Sequence, residues 1–202
     1  MSRGKILIQV AMAALVGVTS PALAASEGGV AVESAAATLA PNQFVWSDTD
    51  IAEPVRIVVN LGEQRAYVYR GEALVAASTV STGKGGKETP SGTFTILQKN
   101  IDHRSNLYNS AAMPFMQRLT WDGVAIHAGR NPGYAASHGC IRVPLTFAKK
   151  LYGITTVGTE VTVIGEDGLV AHNPPQAAPA PAINTVSETA AANKTARQLA
   201  AK

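Results

Sequence analysis

One cysteine, Cys140, and four histidines occur in the 202 residues, and three of those histidines share residues 102–140 with the cysteine. The densest stretches are Ile126-His127-Ala128-Gly129 and Ser137-His138-Gly139-Cys140-Ile141-Arg142. A thiolate is the nucleophilic form of cysteine, and a nearby imidazole can take the thiol proton and stay as a charged partner. Glycines around the thiol let backbone N–H groups approach a developing oxyanion. His127 is the favoured base, because side chains as near along the chain as those of His138 and Cys140 are expected to diverge; His138 holding the loop by hydrogen bonds is the reading set beside it. Two competitors stand against nucleophilic chemistry. One is a structural cysteine in a buried turn. The other is a zinc site drawn from His103, His127, His138 and Cys140, which have suitable ligand types but lack the usual Cys-x-x-Cys or His-x-x-x-His spacing. No metal and no cofactor is expected.

The elements that must position these residues read as mostly β. Residues 55–60 form a short apolar strand, Leu61-Gly62-Glu63-Gln64 a turn, and 65–70 an alternating strand with Tyr67 and Tyr69 on one face. Gly71-Glu72 turns again into a third strand over 74–80. Gly83-Lys84-Gly85-Gly86-Lys87 suggests a phosphate loop, but the P-loop spacing is missing and no helix follows, so a solvated turn is expected. Strands are expected at 93–98, at 124–127 ending on His127, and at 160–164. Pro144 opens a short helix whose apolar face is Leu145, Ala148, Leu151 and Tyr152, closed by Gly153. The fold class is mainly β, a β-rich domain with one short helix packed on it.

All eleven aromatic residues lie between positions 44 and 152, which locates the folded unit. Before it, Arg3 and Lys5, an apolar run over 6–18 and Ala22-Leu23-Ala24 read as a signal peptide over 1–24. Residues 25–50 read as a linker, disordered over 25–42, with Phe44 and Trp46 able to strap onto the sheet. The domain is expected at 51–165, folding and acting alone. Residues 166–202, with ten alanines and four prolines beyond 172, read as a disordered tail. Charged residues are only 15% and the net charge is +3, falling to +1 without Arg3 and Lys5. That excludes a nucleic-acid footprint. A single cysteine excludes an intrachain disulfide, and no membrane span is expected in the mature chain.

The hexapeptide Ser137–Arg142 with an upstream histidine resembles the signature of the L,D-transpeptidase catalytic domain, also called the YkuD domain. Gln64, Ser81-Thr82-Gly83-Lys84, Thr89-Pro90-Ser91-Gly92, Met113-Pro114 and residues 123–127 match in the family's order, so the resemblance covers residues 55–164. It implies a β-sandwich-like domain with a Cys-His cleft and a periplasmic, wall-associated enzyme. In the implied reaction, Cys140 attacks a peptidoglycan stem tetrapeptide between an L-centre and a D-centre. D-alanine leaves, and an amine resolves the thioester, giving a 3→3 crosslink or attachment to a wall-linked protein. Carried over residue by residue, Cys140 is the nucleophile and His127 the base, oriented by the Ala128 carbonyl. The N–H groups of His138, Gly139 and Cys140 form the oxyanion hole, and Arg142 with Ser137 binds substrate. Hydrolysis by the same site and a non-catalytic wall-binding protein are the alternatives. Only nine residues separate His127 from Ser137, which implies a compact loop beside the cleft without an elaborate lid.

Overall fold

The computed structural model describes residues 27–48, 50–106 and 109–172. The expected signal peptide and the tail beyond residue 172 lie outside them. Among the described residues are two sheets and two helices. The expected meander is present as β2 (Val55–Asn60), β3 (Arg65–Arg70) and β4 (Ala73–Thr79). With β1 (Phe44–Trp46), β5 (Gly92–Thr95) and β10 (Glu160–Ile164) they form a six-stranded sheet, ordered β1-β4-β3-β2-β10-β5. Strands β6 (Gln98–Arg104), β7 (Ala112–Arg118), β8 (Ala125–Ala128) and β9 (Ile141–Val143) form a second sheet in that order.

Alternation builds the core. Ile57 and Val59, Ala66 and Val68, and Val161 and Val163 point inward from the larger sheet, while Ile126, Ile141 and Val143 come from the smaller one. Helix α2 (Leu145–Ile154) closes the same cluster with Phe147, Ala148 and Leu151. Its buried stripe thus runs through Phe147 and Leu151, one helical turn apart, and not through the expected Leu145, which is 59% exposed. Gly153 does not close the helix. The last turn continues through it, and Thr155 caps it by donating from both N–H and Oγ1 to the Leu151 carbonyl at 3.2 and 2.9 Å. Lys99 Nζ donates to the carbonyls of Tyr152 and Thr155 at 2.7 and 2.6 Å, satisfying acceptors at the negative end of the helix.

The expected disordered linker is instead structured. Helix α1 (Glu27–Ala37) sets Val32 and Ala36 against Ala77, with Tyr67, Leu74 and Val45 packed around them. Small side chains on both partners permit the close approach, and the helix covers the outer face of the larger sheet. Strand β1 pairs antiparallel with β4, and Phe44 and Trp46 stack edge-on against Phe147 at 5.7 and 5.5 Å. The possible strap is therefore part of the fold, and the folded unit begins well before residue 51.

Strands β6 and β7 lie in a stretch without strand signals. β6 is polar and exposed along most of its length, and β7 is interrupted by Pro114. The pairing skips Ile101 and Phe115, and Phe115 takes φ of 55°, an irregularity that turns its ring toward Tyr152 at 5.9 Å.

Removing residues before Ile51 strips β1 from β4 and two rings from Phe147. We expect a chain starting at Ile51 to lose at least about 2 kcal/mol and several degrees of melting temperature relative to one starting at Ala25. Coincident thermal melts would refute this.

Candidate active site

The smaller sheet puts the chemistry on one face. β8 and β9 are parallel, with Ile126 opposite Ile141 and His127 opposite Arg142. Side chains alternate across a sheet, so Ile126 and Ile141 enter the core while Ala125, His127, Cys140 and Arg142 face the other way. Met116 and Arg118 of β7 extend that face. It floors a cleft of about 460 Å³. The β6–β7 hairpin forms one wall through His103 and Met113, and Gly129 and Arg130 form the other. Residues 128–136 make the expected compact loop. The hairpin wall escaped the sequence reading because its strands did.

Parallel strands need a crossover of about a dozen residues, and residues 129–140 are that crossover. They are held against residues 81–84. Ser81 and Arg142 exchange N–H···O bonds at 2.9 and 3.0 Å, and the N–H groups of Ala136 and Ser137 both donate to the Thr82 carbonyl. Gln64, at φ of 50°, clasps Thr82, accepting from its N–H at 3.0 Å and donating to its hydroxyl at 2.6 Å. The Thr89 hydroxyl accepts from Gly83 N–H at 2.8 Å and donates to the Gly139 carbonyl at 2.9 Å. A Cβ at Gly83 would sit 2.0 Å from the Lys87 carbonyl oxygen, so only glycine fits there. The Gly-Lys segment is an exposed turn, as expected, and its start and its closing threonine brace the cysteine loop.

His127 is 7% exposed, and its Nδ1 lies 2.8 Å from the Ala128 carbonyl. A carbonyl only accepts, so Nδ1 carries the proton and Nε2 the lone pair. Burial, together with the nearby Arg142 and His103, holds its pKa below the ordinary histidine value, against the opposing Ala128 bond. Cys140 is half-buried, and its Sγ donates to the Gly123 carbonyl at 3.4 Å. Burial raises its pKa, although the Ala125 backbone, Arg142 and Arg118 pull the other way. At neutral pH the site therefore holds a neutral imidazole and a protonated thiol.

Two expected roles change. Ser137 was expected to bind substrate, but it is fully buried; its hydroxyl donates to the Cys140 carbonyl at 2.6 Å and accepts from Gly139 N–H at 3.1 Å. It braces the loop. The same bond engages the Gly139 N–H that was expected in the oxyanion hole. Gly139 itself sits at φ of 115°, a conformation that glycine adopts freely. His138 is exposed at the cleft. Arg142 lies across Gly129, where a Cβ would meet its side chain at 3.1 Å, and its Nη1 reaches the Ala136 carbonyl at 3.5 Å. Among the described residues, no three His, Cys, Asp or Glu side chains gather as a metal site would require.

The Thr89 bridge is buried and has a near-isosteric replacement. Thr89→Val should cost roughly 2–3 kcal/mol, because it leaves a buried N–H and a buried carbonyl unpaired. It should also slow Cys140 alkylation. Urea melts and labelling rates check both, and a wild-type melt would refute the bracing role.

The family described as the L,D-transpeptidase catalytic domain, YkuD, matches residues 54–163. A curated Bacillus licheniformis protein assigned as L,D-transpeptidase YkuD is 28% identical over 113 residues, which span 54% of this chain and 66% of that protein. The L,D-transpeptidase from Mycobacterium smegmatis superposes with a TM-score of 0.50 at 25% identity, covering 54% of this chain and 58% of its own. That from Stackebrandtia nassauensis does so with a TM-score of 0.53 at 23% identity, over 70% and 68% of the two chains, a likeness of fold. The chain spans less than two thirds of the first two relatives. The match covers more than half of this chain and contains both sheets' central strands, the cysteine loop and His127: the chain belongs to the L,D-transpeptidase catalytic domain (YkuD) family.

Proposed function

We propose that this protein is an exported L,D-transpeptidase that acts on peptidoglycan stem tetrapeptides in the periplasm. The observation that carries the reading is that His127, on β8, and Cys140, immediately before the parallel strand β9, face one cleft. The leader-like residues 1–24 support export.

Because thiol and imidazole both rest neutral, the proton moves as the bond forms. His127 Nε2 takes the Sγ proton while sulfur attacks the carbonyl of the L-centre. The oxyanion is held by the backbone N–H groups of His138 and Cys140. As the tetrahedral species collapses, the carbon–nitrogen bond breaks, and His127 returns the proton to the departing amine of D-alanine. A thioester remains. An acceptor amine then attacks it, His127 takes the amine proton, and the departing sulfur recovers it. Arg142 holds a substrate carboxylate through its planar fork. The acceptor is another stem or a wall-linked protein.

The test is incubation with purified tetrapeptide muropeptides, followed by mass analysis. Released D-alanine with crosslinked dimers is expected. Trimmed stems alone would mean hydrolysis, and no conversion would refute the reading. Cys140→Ser should abolish transfer and the carbapenem adduct expected at Cys140, with an intact fold; His127→Ala should lower acylation by about 10²–10⁴-fold.

The pH profile follows from the burial of His127. Protonation removes the base, so acylation should fall as pH drops through its depressed pKa, giving an acid limb below the ordinary histidine value of about 6.5. Stopped-flow acylation across pH measures it. A limb centred above that value would contradict the neutral resting pair.

A further inference from the structure

The row of the smaller sheet that ends at the thiol contains an arginine to which the mechanism gives no contact with substrate. Gln98, Arg118 and Ala125 are successive cross-strand partners, and the pairing of Ile126 with Ile141 carries the row on to Cys140. Strands lie about 4.8 Å apart, so two spacings, roughly 10 Å, separate the Arg118 and Cys140 backbones. The residue between them is Ala125, which lines the cleft and whose small side chain packs with Met113, Met116 and Cys140.

Arg118 is half-buried, lines the cleft and is oriented from behind. Its Nε donates to Gln98 Oε1 at 2.9 Å, and its guanidinium carbon lies 5.8 Å from the Trp121 ring centre. Its charge is felt on both sides, helping to hold His103 below its ordinary pKa and favouring the ionised form of Cys140. Yet the ion pairs among the described residues join Arg56 to Glu72 and Lys150 to Asp48, and none involves Arg118. Asp122 lines the same cleft without pairing to it. A guanidinium fixed by one edge, with no protein carboxylate, suits a planar carboxylate from substrate.

We propose that Arg118 is a specificity-determining residue that reads a second carboxylate on the acyl donor, so that stems with a free side-chain carboxylate are preferred over amidated ones. The inference rests on the transpeptidase reading. Where the attacked residue is a diamino diacid such as diaminopimelate, the attacked carbonyl belongs to its L-centre. A short methylene chain separates it from a D-centre that carries the second carboxylate. With the carbonyl at Cys140, that chain runs over Ala125 toward Arg118, while Arg142 lies one pleat along β9 for the main-chain carboxylate.

The test measures kcat and KM for tetrapeptides carrying the side-chain acid or its carboxamide, with wild type, Arg118→Gln and Arg118→Lys, alongside thermal melts. Wild type should favour the free acid by about 10–100-fold, the worth of a charge-assisted pair. Arg118→Gln should shrink that preference to within about threefold, mainly through KM. Arg118→Lys should keep part of it, since lysine retains charge but not the fork. Should Arg118→Gln melt early, Arg118→Lys decides: a preference reduced below that of wild type supports the proposal, and an unchanged one overturns it. Equal loss on both donors with the ratio intact would show that Arg118 acts only on the charge of Cys140, and would overturn the proposal. So would a wild type indifferent to amidation. Turnover of neither donor, with Cys140 still alkylated, would bring down the transpeptidase reading and this inference with it.

Discussion

The site depends on a crossover loop that cannot hold its own shape. Residues 129–140 join two parallel strands and so must leave the smaller sheet and return to it. Their polar backbone is satisfied by a neighbour, the segment that follows β4. Ser81, Thr82 and Gly83 act as an added strand along the loop, and Gln64 and Thr89 hold that segment from its two sides. The Cys140 sulfur is thus placed by hydrogen bonds from segments that connect the strands of the larger sheet. Ser137 then folds the loop tip, its one hydroxyl bonding both Cys140 and Gly139. Such a chain of buried, paired groups is rigid because breaking any link leaves polar atoms without water.

Electrostatics sets the order of events in the same place. Burial dominates at both His127 and Cys140, so the charged pair that sequence chemistry suggests is not the resting state. Ala128 pins the tautomer that leaves Nε2 as the acceptor. The guanidinium groups of Arg118 and Arg142 then favour the thiolate as it forms. A neutral resting thiol also resists oxidation, since the thiolate is the form that oxidises.

That Cys140 and His127 line one cleft was legible because their residue types are rare in the chain and tightly spaced. The three-strand meander was legible because its turns carry glycine between alternating apolar positions. What failed has physical causes. The β6–β7 hairpin carries its apolar residues off period around Pro114 and Phe115, so alternation could not reveal it or the wall it forms. Helix α1 is short and alanine-rich, and its order comes from Ala77 and Tyr67 far along the chain. Ser137 sits inside the motif, and only tertiary structure distinguishes a hydroxyl that serves the loop from one that serves substrate. In α2, Phe147 took the core position expected of Leu145 because the helix is rotated to bring Phe147 under Phe44 and Trp46.

The parallel pairing of β2 with β10 governs when the cleft assembles. It joins residues 55–60 to 160–164 at the centre of the larger sheet, so the sheet cannot close until a loop on the order of 100 residues has been paid in entropy. His127, Cys140 and the segment that clamps their loop all lie inside that span. A chain emerging amino end first has α1 and β1 available early, but their partners β4 and Phe147 come later, and β10 last of all. The cleft therefore assembles only once β10 is available and not progressively along the chain, and a chain that lacks β10 presents separated strands with no assembled cleft.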